Sequence, residues 1–156
     1  MTARRIAALI AGLWAGAMLA IAAFAAPDAF ALLERADAGR FVNRLFMQDA
    51  YGSLVAAGLL FAFERRRARD AAEAGRGSVL STEILLILGT LFCTVVGYFA
   101  IQLLMEAARV GQGTWSFGAL HGASTLLFAV KGVLVLILAW RLGRPDGLAL
   151  KTSATS

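Results

Sequence analysis

Residues Gly118 to Trp140 read GALHGASTLLFAVKGVLVLILAW. As a helix this run extends ~35 Å, enough to cross a hydrocarbon core of ~30 Å. It carries the chain's single histidine, His121, near one end, and the one lysine within an apolar run, Lys131, near its middle. An ionisable group at that depth is expensive unless it is paired, snorkels to the interface or is used.

Working outward, three more blocks have the same character. Hydrophobic residues are 60% of the 156 and the mean hydropathy is +0.74, richer than the roughly half-apolar composition of a soluble domain. Ile6–Ala26 follows Arg4 and Arg5 and stops at Pro27-Asp28. A cleaved signal would share the basic start and the small-x-small Ala23-Phe24-Ala25, but its apolar core is roughly 7–15 residues, so a retained helix is expected. Met47–Phe63 and Thr82–Glu106 complete the set. The spans predicted are 6–26, 47–63, 82–106 and 118–140, in a single domain over 1–145 followed by a flexible cytoplasmic tail over 146–156.

Between the first two spans, residues 28–46 mix charges with Phe30, Leu32, Leu33, Phe41, Val42, Leu45 and Phe46. The spacing reads as a short amphipathic helix in the interface, with a solvated loop as the other reading. Small residues recur four apart in Gly12/Gly16/Ala20, Ser53/Ala57, Gly89/Cys93/Gly97 and Gly118/Gly122, a pattern that lets helices pack closely. The expected fold is therefore all-α: an integral membrane four-helix bundle with a short interfacial helix between helices 1 and 2, and little room for a wide pore.

Charge orients the bundle. Arg4, Arg5, Arg65, Arg66, Arg67, Arg69, Arg76, Arg141, Arg144 and Lys151 fall on one side, against Arg35, Arg40, Arg44 and Arg109 on the other. The basic side is expected to be cytoplasmic, with both termini there, in a bacterial inner membrane. Arg65, Arg66, Arg67 and Arg69 form a collar suited to anionic lipid headgroups. No soluble face remains for nucleic acid, and one cysteine, Cys93, makes no intramolecular disulfide.

Chemistry-bearing residues are few. There is no phosphate-binding loop, dinucleotide fingerprint or paired-cysteine metal spacing. His121 and Ser124 sit one turn apart on one helix, which holds them parallel rather than aimed at a common substrate. Topology suggests more. Met47, Asp49, Met105, Glu106 and His121 are expected at one end of an antiparallel bundle, where imidazole and thioether suit copper(I) and carboxylates orient the imidazole. His121 with a methionine also suits haem. The plainer reading is an interfacial histidine bonded to a neighbouring helix. For Lys131, the expected partners are Ser53, Thr90, Thr94 and, nearer the inner surface, Glu83; the functional alternative is a charge lining a polar path.

Trp14-Ala15-Gly16, Phe24, Ala26-Pro27, Phe30, Ala38-Gly39-Arg40, Leu45-Phe46 and Leu120-His121-Gly122-Ala123-Ser124, in that order and spacing, resemble the bacterial domain-of-unknown-function 4149 family. That family is similar to the eukaryotic transmembrane-protein-205 group. The resemblance implies four membrane helices with the first retained. A distant similarity to copper-resistance-D-type membrane proteins implies a metal role for His121. The leading expectation is a non-enzymatic structural or interaction component, alone, as a homo-oligomer or with a membrane protein partner. Copper or haem handling through His121 is the alternative, and a small transporter or channel subunit using Lys131 the third.

Overall fold

A computed structural model describes residues 3–75 and 78–144. Arg76, Lys151 and the tail expected at 146–156 lie outside the described residues. Among those described, all regular structure is helical: α1 (Ala3–Ala20), α2 (Ala26–Leu32), α3 (Arg35–Glu73), α4 (Thr82–Thr94), α5 (Ile101–Arg109) and α6 (Phe117–Gly143). Two wide π segments, Ile21–Ala25 and Val95–Ala100, join α1 to α2 and α4 to α5 without a break. Four continuous helices result, Ala3–Leu32, Arg35–Glu73, Thr82–Arg109 and Phe117–Gly143, each long and apolar enough to cross a membrane.

No separate interfacial helix forms at 28–46, which corrects that expectation. Leu33 (φ −112°, ψ 154°) and Glu34 (φ −57°, ψ 142°) are extended and turn the chain, so the stretch is divided between the end of the first span and the start of the second. Pro27 does not end the first span. Proline lacks an N–H and its ring presses on the carbonyl four residues back. The π turn just before it, with Ala26 N–H bonded to Ile21 O, is wide enough to take the ring without ending the helix. The second π segment follows Thr90 and Thr94, whose hydroxyls donate to Ile87 O at 2.7 Å and Thr90 O at 2.8 Å. Such back-bonding bends a helix.

Around the bundle, α1 packs on α6, α6 on α4, α4 on α3 and α3 on α1, so α3 and α6 face each other across a diagonal. One core, built from Ala7, Ala11, Trp14, Ala15, Met18, Leu60, Ile87, Val135, Leu138 and Leu142, is shared by all four spans. It fills the end that holds the N-terminus and the α3–α4 connection, called here the closed end. Toward the other end the core divides. Ala29, Ala38 and Val42 pack α2 on α3, while Ile101, Met105 and Leu120 pack α5 on α6. The two hairpins thus become separate arms, and the open end lies between them.

Glycine placement differs from the expected stripes. Gly97 and Gly89 do bring α4 and its π segment against α6: a Cβ on Gly97 would lie 2.9 Å from Leu127 Cβ, and one on Gly89 3.1 Å from Leu134 Cδ1. Gly12, Gly16, Gly118 and Gly122 face away with nothing within 4 Å. On α1 it is the alanine row, Ala7, Ala11 and Ala15, that packs inward.

The arms repeat one plan: helix, π segment, short helix, turn, long helix. Asp49 stands fourteen residues after Arg35, the first residue of α3, and Lys131 fourteen after Phe117, the first of α6. Phe46 and Phe128 are matched in the same way. The sequence echoes it in Leu45-Phe46-Met47-Gln48-Asp49 and Leu127-Phe128-Ala129-Val130-Lys131. Two corresponding pairs, Asp49 with Lys131 and Phe46 with Phe128, meet across the diagonal, as a pseudo-twofold relation between the arms would bring them.

Candidate functional site: an ion pair at the floor of a cavity

Where the arms separate, α3 and α6 stop being apolar toward each other. Lys131 Nζ donates to Asp49 Oδ2 at 2.5 Å and to Ser53 Oγ at 3.1 Å. The two charged side chains are 5% and 4% exposed, a dry ion pair spanning the diagonal. Ser53 Oγ also accepts from Trp14 Nε1 at 3.1 Å, which ties the first span to the pair. The Phe128 ring lies 5.1 Å from Lys131 Nζ and supplies a cation–π face. Phe46 meets Phe128 edge-on at 4.9 Å, a second bridge between arms. Most of the cation's donor capacity is met within the protein, as a charge away from water requires.

Above this floor is a cavity of about 570 Å³ that opens between the arms. Its walls are mostly apolar, with Phe30, Val42, Phe46, Met105, Phe117 and Phe128 among them. Cationic groups enter from both arms: Arg35 from α3, Arg109 from α5 and Lys131 from α6, with Asp49 as the one carboxylate. The size and the apolar lining with few polar groups are those of a small-molecule site. Ser124 Oγ, on the wall, donates to Gly97 O at 2.7 Å and pins the π segment to α6.

The expected metal constellation comes together only in part. Asp49, Met105 and His121 line the cavity, whereas Met47 and Glu106 do not. His121 is exposed at the mouth, stacked on Phe117 at 6.0 Å and 9°. The Asp49 carboxylate is taken by Lys131 rather than turned to an imidazole. Among the described residues no group of three or more His, Cys, Asp or Glu is placed to hold a metal ion. Of the expected set, His121 and Met105 keep their donor atoms free of an ion pair on the cavity wall, where Cys93 joins them.

The expected partners of Lys131 divide likewise. Ser53 is one. Thr90 and Thr94 spend their hydroxyls on their own helix, and Glu83 accepts from Arg141 Nε at 3.0 Å at the closed end. Counting the second span from residue 47 puts Asp49 at the open end. With α3 beginning at Arg35, Asp49 lies ~21 Å along the helix, deep in the bundle. The matched Leu-Phe-x-x-Asp and Leu-Phe-x-x-Lys segments are the signal that could have paired them. In the collar, Arg65, Arg66 and Arg69 are exposed, while Arg67 sits 3.5 Å from the buried carboxylate of Glu64.

A family model described as Domain of unknown function (DUF4149) matches residues 9–113. Trp14, Asp49, Ser53 and the first π segment fall within the match, while Lys131 and His121 follow it. No curated protein and no solved structure gives a match.

Proposed function

Because the chain belongs to the family of Domain of unknown function (DUF4149), whose description names no activity, we propose a function from the site itself: a multi-pass membrane protein that binds a small solute between its two arms, as a carrier and not as an enzyme. The observation behind this reading is the Lys131–Asp49 pair at the floor of the cavity. As structural cement the pair is a poor choice, because well-packed apolar residues of similar volume hold a core as well or better. Ionisable groups kept inside a membrane bundle mark ion or substrate paths. Carriers built from parallel repeats hold their solute near mid-membrane where the repeats meet. Here Asp49 and Lys131 are equivalent positions of two such repeats.

The membrane is the bacterial plasma membrane, with both termini cytoplasmic by the excess of arginines at the closed end. The cavity then opens away from the cytoplasm. Arg65, Arg66 and Arg69 meet anionic headgroups on the cytoplasmic side.

Cysteine labelling in intact cells tests the reading. In a Cys93→Ala background, Gln102→Cys on the cavity wall is expected to react with a membrane-impermeant maleimide added outside. Ala57→Cys, at a position 0% exposed in the closed-end core, is expected to react only after denaturation. If Gln102→Cys reacts from the cytoplasmic side alone, or from neither, the outward-facing solute site is refuted.

A further inference from the structure

Charge within the cavity is one-sided. Lys131, Arg35 and Arg109 line it, against the single carboxylate of Asp49, which Lys131 already neutralises. Arg35 and Arg109 have no ion pair among the described residues. Arg109 lies over the Phe117 ring, 5.0 Å from its centroid. This contrasts with other charges facing the interior, where Glu83 has Arg141 and Glu64 has Arg67. The arginines also come from different arms, Arg35 from the first residue of α3 and Arg109 from the last of α5.

Resting on the solute-binding reading, we propose that the ligand is an organic monoanion with an apolar body: a hydrophobic monocarboxylate that seats its body against Phe46, Phe128 and Met105 and its carboxylate between Arg35 and Arg109. Each part of the cavity has a counterpart in such a molecule. The wall is aromatic and aliphatic, so an apolar body gains by leaving water. A cleft of one charge sign with low-dielectric walls concentrates ions of the other sign. Guanidinium groups match a carboxylate with parallel N–H donors. A cation would meet two unpaired arginines and no free carboxylate. An anion held from both sides also joins the two arms at the one end where no shared core does, so binding closes the mouth.

The full chain in neutral phosphatidylcholine nanodiscs supplies the test, with radiolabelled octanoate as probe and octylamine and octanol, of equal chain length, as competitors. Octanoate is expected to bind saturably at one per chain. Arg35→Gln and Arg109→Gln are each expected to weaken it about tenfold, as loss of one charge-assisted contact at an exposed mouth does. Arg69→Gln, exposed at the far end, is expected to leave it unchanged. Octylamine should not displace octanoate. Both arginines are exposed, so the variants fold, and their circular dichroism and elution should match the parent. Displacement by octylamine or octanol as readily as by octanoate, or full binding in the arginine variants, overturns the anion assignment and leaves a solute site of another class. Displacement by phosphatidylglycerol added to the nanodisc assigns the site to a lipid headgroup and overturns the free monocarboxylate. If octanoate does not bind, and octylamine and octanol, each radiolabelled in turn, do not bind either, the solute-binding reading falls as well.

Discussion

Asp49 and Lys131 show how the same contact can be costly to break and cheap to delete. Each side chain is at most 5% exposed, so losing one partner strands the other charge in a low dielectric. Lys131→Met alone is expected to cost about 3–5 kcal/mol of stability. Lys131→Met with Asp49→Leu should recover most of that loss or exceed the parent, because no charge is left behind. Thermal unfolding in nanodiscs reads both. A double variant as unstable as the single one would mean the pair is a structural brace after all. The pseudo-twofold relation adds a sharper test. Since the two positions correspond, Asp49→Lys with Lys131→Asp should rebuild the pair from the opposite arm and unfold later than either single exchange. Trp14→Phe removes the hydrogen bond to Ser53 and also ring atoms packed in the shared core, and should cost about 2–3 kcal/mol.

At the level of the helices, glycines of like spacing have opposite roles, and substitution separates them. Gly97→Ala sets a Cβ 2.9 Å from Leu127 Cβ, a clash with a stem atom that cannot rotate away. It is expected to cost about 1–3 kcal/mol and to push α6 off the π segment. Gly16→Ala meets nothing within 4 Å and should be neutral or gain up to about 1 kcal/mol from helix propensity; unfolding midpoints of the two variants decide it. The contrast also marks what was legible beforehand. Four blocks of spanning length announce four helices, because lipid leaves the backbone no other way to satisfy its hydrogen bonds. Small residues at four-spacing announce surfaces for close approach, but not which surfaces are used: on α1 the alanines next to the glycines face the core. The start of α3 was hidden because Asp37, Arg40 and Arg44 read as interface, whereas they decorate a helix that runs on past the apolar block. Counting depth from the wrong residue then separated Asp49 from Lys131, and the cavity, which depends on two arms diverging, has no local sequence signature at all.

Across the molecule, the two ends are built on different principles. The closed end is braced by groups from three spans: Arg4 donates from Nε to Leu142 O at 3.2 Å and from Nη2 to Arg141 O at 3.0 Å, capping the end of α6, and Arg141 in turn holds Glu83. Beneath these bonds the shared core is dense, with Ala11, Leu60, Ile87, Val135 and Leu138 each 0% exposed. The open end has no such brace, and its arms are coupled chiefly through the Phe46–Phe128 and Tyr51–Phe99 edges and the ion pair. Local opening follows the density of buried contacts and the access of water to backbone amides. Protection from amide hydrogen exchange should therefore fall along each span toward the arms: residues 84–90 should outlast 101–108, although both belong to one continuous helix, and 135–142 should outlast 117–124. A uniform bundle would instead fray only at its chain ends and give both halves of each span the same protection. Neutralising the brace with Glu83→Gln and Arg141→Gln separates the cases further. It should raise exchange at 84–90 and 135–142 while leaving the arms as they were, because each arm is held by its own small core; a rise spread evenly over all four spans would show that the arms do not move independently of the closed end.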